Sequence, residues 1–144
     1  MKLQADAAFK AGVVILVTLV SAYLIGLSYS YWWDELLSVS QAQLGVSEMF
    51  TKTILIDVHP PLYPFLLKIW VALFGISEIA TRSLSFIFAL GALLVFQHNL
   101  TQLTHNALER GLSVLFFVCA WPFLFYGNEV RSYSLLLFLS TVCY

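Results

Sequence analysis

Charge is what this chain has least of. Only 10% of its 144 residues are Asp, Glu, Lys or Arg, while 60% are hydrophobic. Soluble domains carry roughly 25% charged and 45–50% apolar residues, so a water-facing surface of normal size is excluded. The formal net charge of -1 offers no basic face, and no nucleic-acid partner is expected. Cysteine is scarce as well. Cys119 and Cys143 both fall in apolar runs, where a thiol behaves as a small hydrophobe. Two cysteines build neither a disulfide framework nor a metal cage. No Asp-x-Asp occurs, and no metal or other cofactor is predicted.

What is there is apolar sequence in long stretches. Residues 11–33, 83–108, 111–128 and 132–144 contain no Asp, Glu, Lys or Arg. A membrane-spanning helix needs about 17–25 mostly apolar residues, because about 30 Å of hydrocarbon must be crossed at 1.5 Å per residue. The first two runs exceed that length, the third just meets it, and the fourth is still apolar where the chain stops. The expectation is an all-α polytopic membrane protein with about four transmembrane helices, the chain being an N-terminal fragment of a longer protein. A small complete protein with a short last helix is the alternative. Lys2 and Lys10 begin the chain as they would a signal peptide. However, the following apolar run is longer than a signal core, and no small-x-small cleavage site closes it. It closes on Tyr31-Trp32-Trp33, which suits an aromatic belt at a membrane surface.

These signals set out one topology. Residues 1–10 form a short cytoplasmic tail, and helix 1 crosses outward over about 11–31, oriented by the two lysines. The outer stretch 32–59 holds Asp34, Glu35, Glu48, Lys52 and Asp57, with a short surface helix over 35–44. Pro60, Pro61 and Pro64 suit the start of a helix over 60–74, and Gly75 suits its end. Fifteen residues reach only about 22 Å. Lys68 in their middle would cost about 2.5–3.5 kcal/mol facing lipid. The segment therefore reads as a juxtamembrane helix on the outer surface, with a short crossing as the competing reading. Helix 2 returns inward over about 79–103, helix 3 goes out over about 111–126, and helix 4 starts near 132. Asp34, Glu35, His59, Glu129 and Arg131 then share the outer face of a multi-pass protein of the plasma (inner) membrane.

Three constellations on that face can carry chemistry. Asp34-Glu35 follows the aromatic anchor, and a carboxylate beside the bilayer is partly desolvated and a better base. The plainer reading is a solvated loop pair. Asp57-Val58-His59-Pro60-Pro61-Leu62-Tyr63 puts an acid and an imidazole at a proline-led helix start, where an anion is favoured; both side chains also suit simple capping. Tyr126-Gly127-Asn128-Glu129-Val130-Arg131-Ser132-Tyr133 sets an acid and a guanidinium two apart. Arg suits phosphate, or it neutralises Glu129 in a turn. Lys68 and Arg82 snorkel outward or touch a phosphate. His98 and His105 have no partner cluster.

The order of these motifs resembles the start of the GT-C membrane glycosyltransferases. The residues that carry the resemblance are Trp33-Asp34-Glu35, Asp57-x-His59-Pro60-Pro61-Leu62-Tyr63, Leu73-Phe74-Gly75-x-Ser77-Glu78 with Arg82, and Tyr126-x-x-Glu129-x-Arg131-x-Tyr133. Within that group the pattern is most similar to the branch of dolichyl-phosphate-mannose protein mannosyltransferases and aminoarabinose lipid A transferases. His59 is nearer the mannosyltransferase pattern than the Lys-Pro of the aminoarabinose enzymes, and Pro64 stands where a second Tyr is frequent.

The resemblance implies an inverting glycosyltransferase. It would move a sugar from a polyprenyl-phosphate-linked donor to an acceptor hydroxyl of a lipid, protein or glycan at the outer face of the bilayer. Asp34 would be the catalytic base. Glu35, Asp57, His59, Glu129, Arg131 and Tyr133 would bind substrate, and the fragment would be inactive alone. The alternative is a non-enzymatic transporter or flippase subunit whose charges line a polar path.

Overall fold

The computed structural model describes residues 20, 21, 23, 24, 26, 29–51 and 60–144. Most of the expected helix 1, the tail before it, and Asp57 and His59 lie outside the described residues.

The described residues are all-α, with no strand among them. Seven helices follow in order: α1 (Trp33–Gln43), α2 (Val46–Met49), α3 (Leu62–Phe74), α4 (Glu78–Leu103), α5 (Ala107–Cys119), α6 (Trp121–Tyr126) and α7 (Tyr133–Cys143). Local chemistry sets their ends. Pro61 precedes α3, and Gly75, at φ 85°, ends it; only glycine adopts that conformation without strain. The Ser77 hydroxyl accepts from the Ala80 amide to cap α4, and the Asn106 side chain accepts from the Leu108 amide to cap α5.

Two expected boundaries are corrected. The gap left between the expected helices 2 and 3 shrinks to residues 104–106, because Asn106 starts α5 at Ala107, ahead of the expected start near 111. The single helix expected over 111–126 is two helices. Ala120 is extended, at φ -65° and ψ 135°. Pro122 has no amide to bond the carbonyl four residues back, and its ring crowds that carbonyl, so α5 stops at Cys119. Together α5 and α6 occupy 107–126, about 30 Å of helix.

One described helix, α4, is long and apolar enough to cross a membrane; α3 and α7 are apolar but shorter. The expected four crossings are therefore not present as four long helices among the described residues. Cys119 and Cys143 are exposed on helix surfaces.

Packing fixes the directions of the chain. Phe96 of α4 stacks on Phe117 of α5 at 4.3 Å, and Ala89 lies against Gly127 at the end of α6. Numbers rising along α4 fall along α5–α6, so the pair runs antiparallel to α4. Helix α7 runs parallel to it: Phe88 meets Phe138, and the Asn99 side chain donates to the Thr141 carbonyl. Helix α3 stays beside the first turns of α4. The Trp70 indole donates to the Ala80 carbonyl, and the Tyr63 and Ser85 hydroxyls share a hydrogen bond. One core cluster joins α1, α3, α4 and α7 through Val39, Tyr63, Leu67, Leu84, Val130 and Leu135. A second fills the space between α4 and α5–α6.

Candidate functional site

Three segments meet at the start of α4. They are Gly26 with residues 29–35, the α3–α4 junction and the turn 127–132. The Tyr31 amide donates to Glu78 Oε1 at 3.2 Å. The Tyr31 hydroxyl donates to the Ile76 carbonyl and shares a 2.6 Å bond with Thr81.

At the centre is a buried ion pair. Glu35 lies on the inward stripe of α1 with Val39 and Ala42, the spacing of one helix face, and is 1% exposed. Arg82 reaches it with Nε at 3.0 Å and Nη2 at 2.6 Å. The other Arg82 nitrogen, Nη1, donates to the carbonyls of Gly26 at 2.8 Å and Tyr29 at 2.7 Å. Glu35 also accepts from the Val130 amide at 3.1 Å and the Trp32 amide at 3.4 Å. Four chain segments are thus tied through one carboxylate and one guanidinium.

Beside it is an open pair. Asp34 is one residue earlier, about 100° around the helix, and points out of the core. Its Oδ2 lies 3.5 Å from Arg131 Nη1, with the side chains 38% and 12% exposed. A tight charge-assisted bond is about 2.7–2.9 Å, so this contact is loose. The Arg131 guanidinium lies over the Tyr133 ring at 5.7 Å, and Tyr133 in turn packs on Tyr126 at 4.4 Å. Val130, fully buried, anchors the turn between the two charged residues.

Glu129 is 5% exposed. Its Oε2 has no hydrogen-bond partner among the described residues. Burial first, and the Glu35 charge second, push its carboxyl up to about 7; Asp34 adds to the rise, while Arg131 and a hydrogen bond from Trp32 oppose it. A carboxyl in that state exists both as an acid and as a base near neutral pH.

The structure brings together Asp34, Glu35, Glu129, Arg131 and Tyr133 of the expected site. Within that set two roles change. Glu35, expected to bind substrate, has both oxygens occupied by Arg82 and backbone amides and is closed to a ligand. Arg82, expected to snorkel outward, is 3% exposed and turned inward. Lys68 is likewise engaged, donating to the carbonyls of Ala42 and Leu44 at the end of α1, where carbonyls lack helical partners. Nothing is described of Asp57 and His59. Sequence reading missed Arg82 as the partner of Glu35. The signal was its place at the end of a long uncharged helix, where a charge calls for a partner.

Chemically, the arrangement offers a part-exposed carboxylate beside a guanidinium, with a second, proton-holding carboxyl behind them. Among the described residues no group of three or more His, Cys, Asp or Glu is placed to hold a metal ion. His98 and His105 are exposed and lie away from this cluster. Comparison with protein families, curated proteins and solved structures finds no match to the chain.

Proposed function

We propose that the chain is the N-terminal part of a GT-C-like membrane glycosyltransferase that takes its sugar from a polyprenyl-phosphate donor. The observation that carries this reading is the Asp34–Arg131 pair, a base and an anion-binding group 3.5 Å apart. They sit at the end of the bundle where α4 and α7 both begin. The antiparallel return of α5–α6 supports a topology in which helix 1, α4, α5–α6 and α7 make four crossings, with this end facing outward.

In this mechanism Asp34 takes the proton of the acceptor hydroxyl. The oxygen attacks the anomeric carbon from the side opposite the phosphate, as in inverting glycoside chemistry. The bond from that carbon to the phosphate oxygen breaks, its electrons stay on the oxygen, and the configuration inverts. Arg131 stabilises the departing charge, with Tyr133 stacked beside its guanidinium. The motif resemblance adds Asp57 and His59 to the donor side. A lipid donor accounts for a site at the end of a membrane helix.

The transporter reading predicts a helix broken near the bilayer midplane beside polar groups. The break at Ala120 has a local cause in Pro122, and residues 111–128 around it carry no charge. The charges gather at helix ends, which favours the surface enzyme.

The test is Asp34→Asn in the complete protein, assayed in membranes with a radiolabelled polyprenyl-phosphate sugar. Loss of a general base predicts transfer reduced by about 10²–10⁴-fold, at unchanged protein level. Undiminished transfer would remove Asp34 from the base role and with it this reading.

A further inference from the structure

Helix α6 has two unlike faces. Phe123 turns inward, packs on Phe117 at 5.4 Å and joins the core with Ala89 and Leu93. Trp121 and Phe125 lie two residues to either side of it and share the opposite face. They are 67% and 41% exposed, and their rings stack at 4.9 Å. The ring contacts continue toward the site. Phe125 meets Tyr126 edge-on at 5.4 Å. Tyr126 packs on Tyr133 at 4.4 Å, and both are half-buried. The Arg131 guanidinium then lies over the Tyr133 ring at 5.7 Å. Trp121, Phe125, Tyr126 and Tyr133 thus form an unbroken path of rings from α6 to the guanidinium of the site.

This path runs into the depth of the bundle. Val130 lies at the level of Arg82, since Glu35 binds both. Gly127 lies against Ala89, about 10 Å further along α4 than Arg82. Helix α6 runs antiparallel to α4, so Trp121 lies about 6 Å deeper again than Phe125. A path of that length starts at the charged end of the bundle and finishes well inside a hydrocarbon layer about 30 Å thick. Its chemistry also differs from that of the neighbouring surface. The exposed large apolar side chains of α4 and α7 are all Ile, Leu or Val, which is sufficient for contact with acyl chains. Those of α6 are aromatic. Aromatic rings give broad, stiff contact surfaces that lose little rotamer entropy on binding. A polyprenyl chain suits such a surface, because a planar double bond and a methyl branch recur in every isoprene unit.

We propose that Trp121, Phe125, Tyr126 and Tyr133 form the binding track for the isoprenoid chain of a polyprenyl phosphate. The phosphate lies at the Arg131 end, and successive isoprene units descend along α6. The inference rests on the donor reading and adds a site for the tail to it. Two features commit this face to that occupant. A cation stands at the shallow end, where the phosphate belongs, and the rings are continuous from there inward, so head and tail of one molecule are met in the right order.

The experiment uses farnesyl phosphate carrying a diazirine on its third isoprene unit, with the complete protein in lipid nanodiscs. Photolysis should label the 121–126 peptide, and long-chain polyprenyl phosphate should compete the label away. Dioleoyl phosphatidic acid, a phosphate with acyl tails, should compete at least about fivefold less well, the scale of one interface aromatic. In transfer assays with a long-chain polyprenyl-phosphate sugar, Trp121→Ala should raise KM at least about fivefold, the loss falling on KM rather than kcat. Phe116→Ala removes an aromatic that is 78% exposed on α5, off the track, and should leave KM unchanged. Label that falls outside 121–126, equal competition by phosphatidic acid, an unchanged KM in Trp121→Ala, or an equal rise in Phe116→Ala overturns the proposal. Labelling of 121–126 in a protein that transfers no sugar keeps the track and strikes the donor reading. Transfer without that label strikes the track and keeps the donor reading.

Discussion

Asp34 and Glu35 are consecutive carboxylates on one helix, yet they occupy opposite environments. Glu35 sits on the inward stripe of α1, meets Arg82 at 2.6 Å and shares its burial. Asp34 sits a third of a turn away, faces Arg131 at 3.5 Å and keeps contact with solvent. One pair is saturated by hydrogen bonds and closed. The other is looser, and its carboxylate reaches solvent. Helix phase alone assigns these roles: two acids that differ little as residues become a strut and a reactive group through rotation about one axis. The strut also serves the reactive pair, because the Val130 amide that Glu35 accepts lies next to Arg131.

The comparison breaks if the two pairs contribute alike to stability. Arg82→Met leaves Glu35 buried and uncompensated, a change that costs about 3–5 kcal/mol. Arg131→Met removes a part-exposed partner and should cost about 0–1 kcal/mol. Chemical denaturation in detergent micelles measures both. The double variant Glu35→Gln with Arg82→Met should recover part of the larger loss, since no lone buried charge remains. Equal losses for the two single variants would show that Glu35 is no more committed to the fold than Asp34.

How much of this was readable in the residues follows the same division. Helix lengths and Lys68 led to the expectation that the 32–35 and 127–132 segments share a face, and in the structure the two segments are in contact. The structure places Asp34 beside Arg131 and keeps α3 alongside the first turns of α4. The separate fates of Asp34 and Glu35 were not readable. Two adjacent acids carry no phase until the helix packs and Arg82 turns inward. Arg82 was read as snorkelling because its partner lies 47 positions away, beyond any local pattern. The break at Ala120 was within reach, since Pro122 stands inside an uncharged run. Hydropathy, which sees length and not hydrogen bonds, joined the two helices into one.

A change aimed at the open pair alone sharpens the contrast at smaller cost. Gly127 ends α6 directly before the turn. A Cβ there would lie 2.6 Å from the Phe123 carbonyl oxygen and 3.1 Å from Ala89 Cβ. Its backbone is helical, with φ -64°, so the obstacle is space and not conformation. Gly127→Ala should cost about 1–3 kcal/mol, the usual range for overpacking. It should also push the turn off α4, weakening transfer from the polyprenyl-phosphate donor. An alanine variant with full stability and full transfer would mean that the turn shifts freely and that its close packing on α4 does not position Arg131.

A small effect is also expected from the hydroxyl pair below the strut. Tyr63 is buried, and its hydroxyl shares a 2.7 Å hydrogen bond with Ser85. Burial raises its pKa, with Glu35 and Glu129 adding to the rise, so the phenol remains a neutral partner under the charged layer. Tyr63→Phe keeps the ring that fills the core and removes only that bond, at about 1 kcal/mol. The loss stays small because a serine within a helix can rotate its hydroxyl to a carbonyl in the preceding turn. Ser85→Ala added to Tyr63→Phe should then cost little more than Tyr63→Phe alone. A loss for Tyr63→Phe approaching that of Arg82→Met would mean that the strut extends to Tyr63, and that the boundary between saturated core and open site lies deeper than the Glu35–Arg82 pair.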